Sequence, residues 1–173
     1  VKKVCEAQAT GASTFGDSSD GTGSTTSFKS PSGINTDGVY LYVMDAGNSN
    51  VRRVDKNTGE TKSFSYTMNK GVSLNSPTGG DFTGEILYIA DKGNHSIRKL
   101  EIKSLTGAPL ILIAGNLGIS GYGYSSGYSA SFFNPVGIVA DGIGNLYVAD
   151  TGNHTIRKVV ISTGEVTTIA GVP

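Results

Sequence analysis

One phrase, written three times, constrains this chain more than any other feature. It reads "YLYVMDAGNSNVRRV" at 40–54, "ILYIADKGNHSIRKL" at 86–100 and "NLYVADTGNHTIRKV" at 145–159. Aligned on Asp45, Asp91 and Asp150, the copies lie 46 and 59 residues apart, and the surplus is the insert "GNLGISGYGYSSGYSA" at 115–130. The same signals surround each copy. An apolar residue stands three before a proline (Phe28/Pro31, Leu74/Pro77, Phe132/Pro135), and Gly33, Gly79 or Gly137 follows two after it. Thr-Gly pairs at 58–59, 106–107 and 163–164 then lead into β-rich runs. A partial fourth copy lies at 1–16, where "VKKV" matches "IRKV". Such self-similarity means one supersecondary unit made several times and stacked to bury its faces.

Each copy predicts four short strands: one after the Pro-x-Gly, the "LYVAD" run, the "TIRKV" run and the run after Thr-Gly. No stretch carries a useful 3.6-residue period, so the expected fold is all-β. A four-stranded unit of about 45–50 residues points to a β-propeller blade. Leu146 and Val148 face one side of their strand while Tyr147 and Ala149 face the other. Apolar residues on both faces suit a blade sandwiched between neighbours. The expected organisation is the back half of a preceding blade at 1–16 and blades at 17–66, 67–115 and 116–173, the last carrying the Gly/Tyr/Ser-rich insert. That is a partial or intermolecularly completed propeller of antiparallel four-stranded blades.

These residues resemble NHL repeats, the family named for an Asn-His-Leu tripeptide. "GNLYVADTGNHTIRKV" with "PVGIVAD" upstream carries the likeness, and "GDSSDGTGSTTSFKSPSGI" at 16–34 resembles the Asp-Gly-rich lead-in of bacterial-style repeats. The tripeptide itself is the least faithful part: its third position is Ser96 or Thr155, and the first copy reads Asn48-Ser49. The resemblance implies a propeller, commonly six-bladed. It also implies a binding role toward protein, RNA or carbohydrate, with a minority of lyases that use histidines and a metal in their channel.

The repeated Asp, His, Asn and Arg invite a chemical interpretation, but three equivalent copies would sit on three separate blades. Asp45, Gly47, Asn48, Asp91, Gly93, Asn94, Asp150, Gly152 and Asn153 are therefore expected to be a structural turn. Their Asp side chains would accept N–H groups just ahead, and Gly and Asn would tolerate positive φ. Pairing 149 with 156 sets Val148 opposite Arg157 and Tyr147 opposite Lys158. Tyr88/Lys99 and Tyr42/Arg53 would repeat an aromatic–cation pair of about 0.5–1 kcal/mol. His95 and His154 occupy equivalent turn positions, and zinc catalysis needs three protein ligands. No nucleophile elbow, His-Glu-x-x-His or phosphate loop is present, "GYGYSSGYS" opening no helix. The chain is expected to be no enzyme and to hold no cofactor or metal.

Composition narrows the partners. Fourteen Lys+Arg offset fourteen Asp+Glu, so nucleic acid is not an expected partner. The longest apolar run, "PLILIAG" at 109–115, falls far short of the roughly 20 residues of a membrane helix. "VKKVCEAQATG" is not a secretory signal, which suits a cytoplasmic protein or a mature form or fragment. Cys5 is the sole cysteine. Asn94 and Asn153 begin N-x-[ST] sequons and are candidate glycosylation sites, which favours an extracellular or cell-surface location. Tyr122, Tyr124 and Tyr128 in the insert are candidate partner contacts, since Tyr/Ser/Gly loops make adaptable surfaces. Three blades and a half leave two faces and a strand edge without neighbours. The expected partner is protein, either copies of this chain or the remainder of the propeller. The leading function is a non-enzymatic extracellular interaction or assembly module, a subunit of a surface fibre or polymer completed by neighbouring copies. The alternatives are a fragment of a six-bladed NHL ligand-binding protein and an NHL-type metal-dependent lyase.

Overall fold

The computed structural model describes residues 19–123 and 126–173, with the backbone alone at Tyr128. The expected half-blade at 1–16 lies outside the described residues. The described chain forms three sheets in sequence order. Blade 1 contains β1 (Gly21–Thr22), β2 (Pro31–Thr36), β3 (Tyr40–Asp45), β4 (Asn50–Asp55) and β5 (Glu60–Ser63). Blade 2 contains β6 (Tyr66–Met68), β7 (Pro77–Thr83), β8 (Ile86–Asp91), β9 (Ser96–Glu101) and β10 (Ala108–Ala114). Blade 3 contains β11 (Pro135–Ala140), β12 (Asn145–Asp150), β13 (Thr155–Val160) and β14 (Val166–Ala170).

In each blade the four repeated strands form an antiparallel meander. Two sheets gain a fifth strand that the repeat did not announce. β1 adds antiparallel to the outer edge of β5, and β6 adds parallel to β10. Because β6 follows directly on β5, it laces blade 1 to blade 2. The phrase itself pairs in the expected register: Tyr147 opposes Lys158, Val148 opposes Arg157 and Ala149 opposes Ile156. The Pro-x-Gly at the start of each inner strand coincides with a register shift against its partner, as suits a residue with no ladder N–H.

Asp side chains set the tighter turns. Asp55 accepts the N–H groups of Asn57 and Thr58, and Asp141 those of Ile143 and Asn145. The Thr58 and Asn57 N–H groups hold the Asp55 carboxyl below its ordinary range. Asn145, through its side-chain amide and then its backbone, does the same for Asp141. The core lies between blades. Tyr42, Met44 and Val51 on the rear of blade 1 pack with Leu87, Ile89 and Leu100 on the front of blade 2. Tyr88, Ala90 and Ile97 on the rear of blade 2 pack with Leu146, Val148 and Val159 on the front of blade 3.

Candidate functional site

The repeated Asp-x-Gly is a two-point clamp on one upstream residue. Asp45 Oδ1 accepts the Lys29 N–H at 2.7 Å, while the Gly47 N–H donates to the Lys29 carbonyl at 2.8 Å. Asp91 and Gly93 hold Asn75 in the same way, both bonds 2.8 Å. Asp150 and Gly152 hold Phe133 at 2.8 and 2.7 Å. The expectation that these aspartates bond the residues just ahead is corrected: their partners lie 16 or 17 residues back. The motif glycines are also not needed for positive φ. A Cβ at Gly47, Gly93 or Gly152 would lie 2.5 Å from the clamped residue, so closeness requires them. Positive φ falls instead on the next turn residue, Ser49, His95 or His154, at 52–56°.

The second carboxylate oxygen faces inward. Asp91 Oδ2 accepts from Asn94 Nδ2 at 2.8 Å and from Arg98 at 3.3 Å, and Arg98 also reaches the Val72 carbonyl at 3.1 Å. Asp45–Arg52 and Asp150–Arg157 repeat the ion pair at 3.2 and 3.1 Å with both partners essentially without exposure. Buried charge of this kind is tolerable only when paired and hydrogen-bonded. Burial pushes the Asp91 carboxyl up to about 6, against the opposing pull of Asn75, Asn94 and Arg98. Burial likewise lowers Arg98, with Asp91 opposing. The arrangement leaves these carboxylates occupied on both oxygens and closed to an incoming substrate.

In blade 1 the aromatic–cation expectation is corrected in its partner. Tyr42 does oppose Arg53, but the Arg53 guanidinium lies over Tyr40, 4.2 Å from the ring centre. Tyr42 is buried edge-on against Phe82 at 5.0 Å and is not free to receive the cation. A second stack was missed: Arg52 lies over Phe28 and Arg157 over Phe132. The signal was present in the fixed place of Phe three before each Pro, with Leu74 in blade 2.

Asn94 and Asn153 are 7% and 8% exposed, and their amide nitrogens donate twice each. Asn94 Nδ2 reaches Ser73 O and Asp91, and Asn153 Nδ2 reaches Gly121 O and Asp150. The amide nitrogens of both sequons are thus structural donors inside the fold. In the insert Tyr122 is exposed; Tyr124 and the side chain of Tyr128 lie outside the described residues. Ser126 bridges to Glu165 at the outer edge of blade 3. His95 Nδ1 accepts the Asn134 N–H at 3.2 Å and its ring meets Phe133 edge-on, which binds blade 2 to blade 3. Among the described residues no three His, Cys, Asp or Glu converge as metal ligands, and no helix is long and apolar enough to cross a membrane.

Among the described residues, what remains unpartnered is the outside of the stack. The front of blade 1 holds an apolar hollow of about 380 Å³ lined by Leu41, Val43, Val54, Ile34 and Phe28 among others. The rear of blade 3 exposes Val136, Val139 and Ile156. Contiguous apolar faces on the two end blades form the candidate binding surfaces.

Residues 132–159 match the family model of the NHL repeat. No curated protein matches the sequence. Among solved structures, an auxiliary nutrient binding protein from Bacteroides thetaiotaomicron superposes with a TM-score of 0.64 at 23% identity, over 80% of this chain and 35% of that one. Its counterpart from Bacteroides ovatus gives 0.66 at 19% identity, over 84% and 37%. A chain of a nidogen/laminin complex gives 0.58 at 18%, over 86% and 52%. At these identities the likeness shows the fold. The chain spans about a third of the length of the two Bacteroides proteins.

Proposed function

We propose that this chain, a member of the NHL-repeat β-propeller family, is a non-enzymatic module that binds protein through the open faces of its end blades. The observation that carries this is the pair of exposed apolar faces, the hollow on blade 1 and the valines on blade 3. Inside the chain, equivalent faces are buried against a neighbouring blade. An extracellular or cell-surface setting, and assembly as a fibre or array subunit, belong to the same proposal. The nutrient-binding and nidogen/laminin likenesses support the setting. The repeated Asp–Asn–Arg sets support the non-enzymatic part, because each closes on itself within one blade. A second reading, part of a longer ligand-binding propeller, is favoured by the one-third coverage of the Bacteroides proteins. Light scattering on the purified chain over a concentration series tests the assembly proposal. A mass rising above the monomer is expected; a monodisperse monomer throughout would sink it.

A further inference from the structure

We propose that the rear of blade 3 and the front of blade 1 are two halves of one seam, and that a second copy of this chain, docked head to tail, completes it. This rests on the protein-binding proposal and names its partner.

The two seams within the chain define what a seam requires. First, a glycine of the leading blade's inner strand lies under a main-chain carbonyl of the next. A Cβ at Gly33 would sit 2.1 Å from Thr78 O, and one at Gly79 would sit 2.3 Å from Val136 O. Second, the positive-φ turn residue of the leading blade accepts an N–H from the residue before the next proline. Ser49 Oγ receives Ser76 and His95 Nδ1 receives Asn134. Third, the rear apolar row of one blade covers the front row of the next.

Blade 3 repeats all of this with no described residue against it. Gly137 stands at the position of Gly33 and Gly79, yet a Cβ there would meet only Ala149 Cβ, at 3.5 Å. Neither its φ nor any crowding among the described residues calls for glycine. His154 holds the turn position of Ser49 and His95 and is exposed. Blade 1 offers the complementary half. Ser30 precedes Pro31 with φ 47°, as Ser76 and Asn134 precede theirs with φ 47° and 50°. Leu41, Val43 and Val54 around the hollow are the counterparts of Leu87, Ile89 and Leu100.

The identity of the occupant follows from where blade 3 departs from the pattern. Ser32 and Thr78 donate across the inner seams to Pro77 O and Pro135 O. Asn35 donates to Gly80 O, and Asp81 accepts from the Ala140 N–H. At both positions blade 3 carries valine, with Val136 37% and Val139 53% exposed. Joining separately folded units through hydroxyls and amides requires stripping their water. Valines avoid that cost and match an apolar hollow, as the core of an association surface does. The contact is heterologous, so it closes a ring or continues as a filament.

Sedimentation velocity on the full chain and two variants tests this. Gly137→Leu would block the rear by filling the carbonyl's place. Ile34→Glu would block the front, since Ile34 is 61% exposed and corresponds to Gly80, whose added Cβ would meet Met44 Cε of the blade behind at 2.7 Å. Both variants are expected to keep the wild-type circular dichroism and melting temperature of the dilute chain. The wild type should associate, each variant alone should run as a monomer, and their mixture should give a one-to-one dimer and nothing larger. Self-association in either variant alone overturns the head-to-tail seam and leaves the broader protein-binding proposal standing. A wild type that stays monomeric at every concentration overturns the seam and the assembly proposal, and leaves the binding of a different protein standing.

Discussion

Arg98→Met tests whether the repeated motif is held together by its buried charge. Arg98 is fully buried, its guanidinium contacting Asp91 at 3.3 Å and the Val72 carbonyl at 3.1 Å. Methionine keeps much of the apolar stem and removes the charge, leaving Asp91 buried without its cation. Breaking a buried pair from one side costs about 3–5 kcal/mol. Two features place this case at the lower end. Asp91 keeps the Asn75 N–H and the Asn94 amide, and the Arg98 Nε, which has no hydrogen-bond partner among the described residues, disappears with the substitution. A loss of roughly 3 kcal/mol corresponds to about 6–12 °C in melting temperature for a chain of this size. Urea denaturation gives the free energy, and repeating it at two pH values sharpens the test. With the Asp91 carboxyl raised to about 6, less of it is ionised at pH 5 than at neutral pH. The penalty should therefore be smaller at pH 5. A loss below about 1 kcal/mol, the scale of a surface ion pair, or one identical at both pH values would refute the reasoning.

Gly79→Ala should destabilise the chain by about 1–3 kcal/mol in urea denaturation, because its Cβ would press on Val136 O; an unchanged midpoint would contradict the seam geometry. Asp55 and Asp141 titrate below their ordinary 3.8 when folded. Their stabilisation is complete above that value and is lost as pH falls through the depressed folded values, so Asp141→Asn should flatten the acid limb of a stability–pH curve. Asp91 has the opposite sign: its raised folded value means that ionising it from about pH 4 to 6 costs stability, and carbon NMR of its carboxyl should show a midpoint near 6. Protein made in a glycosylating host should have the unmodified mass at Asn94 and Asn153. A glycan on either would show that its buried amide had been available.

The blade architecture was legible because period-2 strands and a repeated turn phrase are local signals. Tyr147 opposite Lys158 follows from counting outward from a hairpin, without knowledge of the rest of the molecule. The clamp was not legible, because Lys29, Asn75 and Phe133 meet their aspartates only after the meander folds back. The setting of the sequons was hidden for the same reason: Asn94 and Asn153 look exposed in a polar turn, yet Ser73 and Gly121 close over their amides. β1 and β6 escaped notice because two- and three-residue strands carry no periodicity. The candidate surface was legible only in part. Apolar residues on both faces of each blade follow from the repeated strand pattern, whereas the use of Gly137 becomes apparent only once Thr78 O and Val136 O are seen over Gly33 and Gly79.

The most direct measurement is an experimental structure of the protein above its association concentration, recording what lies against the Gly137 Cα. A main-chain carbonyl from blade 1 of a second copy is expected there, in the place that Thr78 O and Val136 O take over Gly33 and Gly79, with that copy's Ser30 N–H on the His154 ring. A solvent-exposed Gly137 in an assembled particle, or a contact between two identical faces, would contradict it.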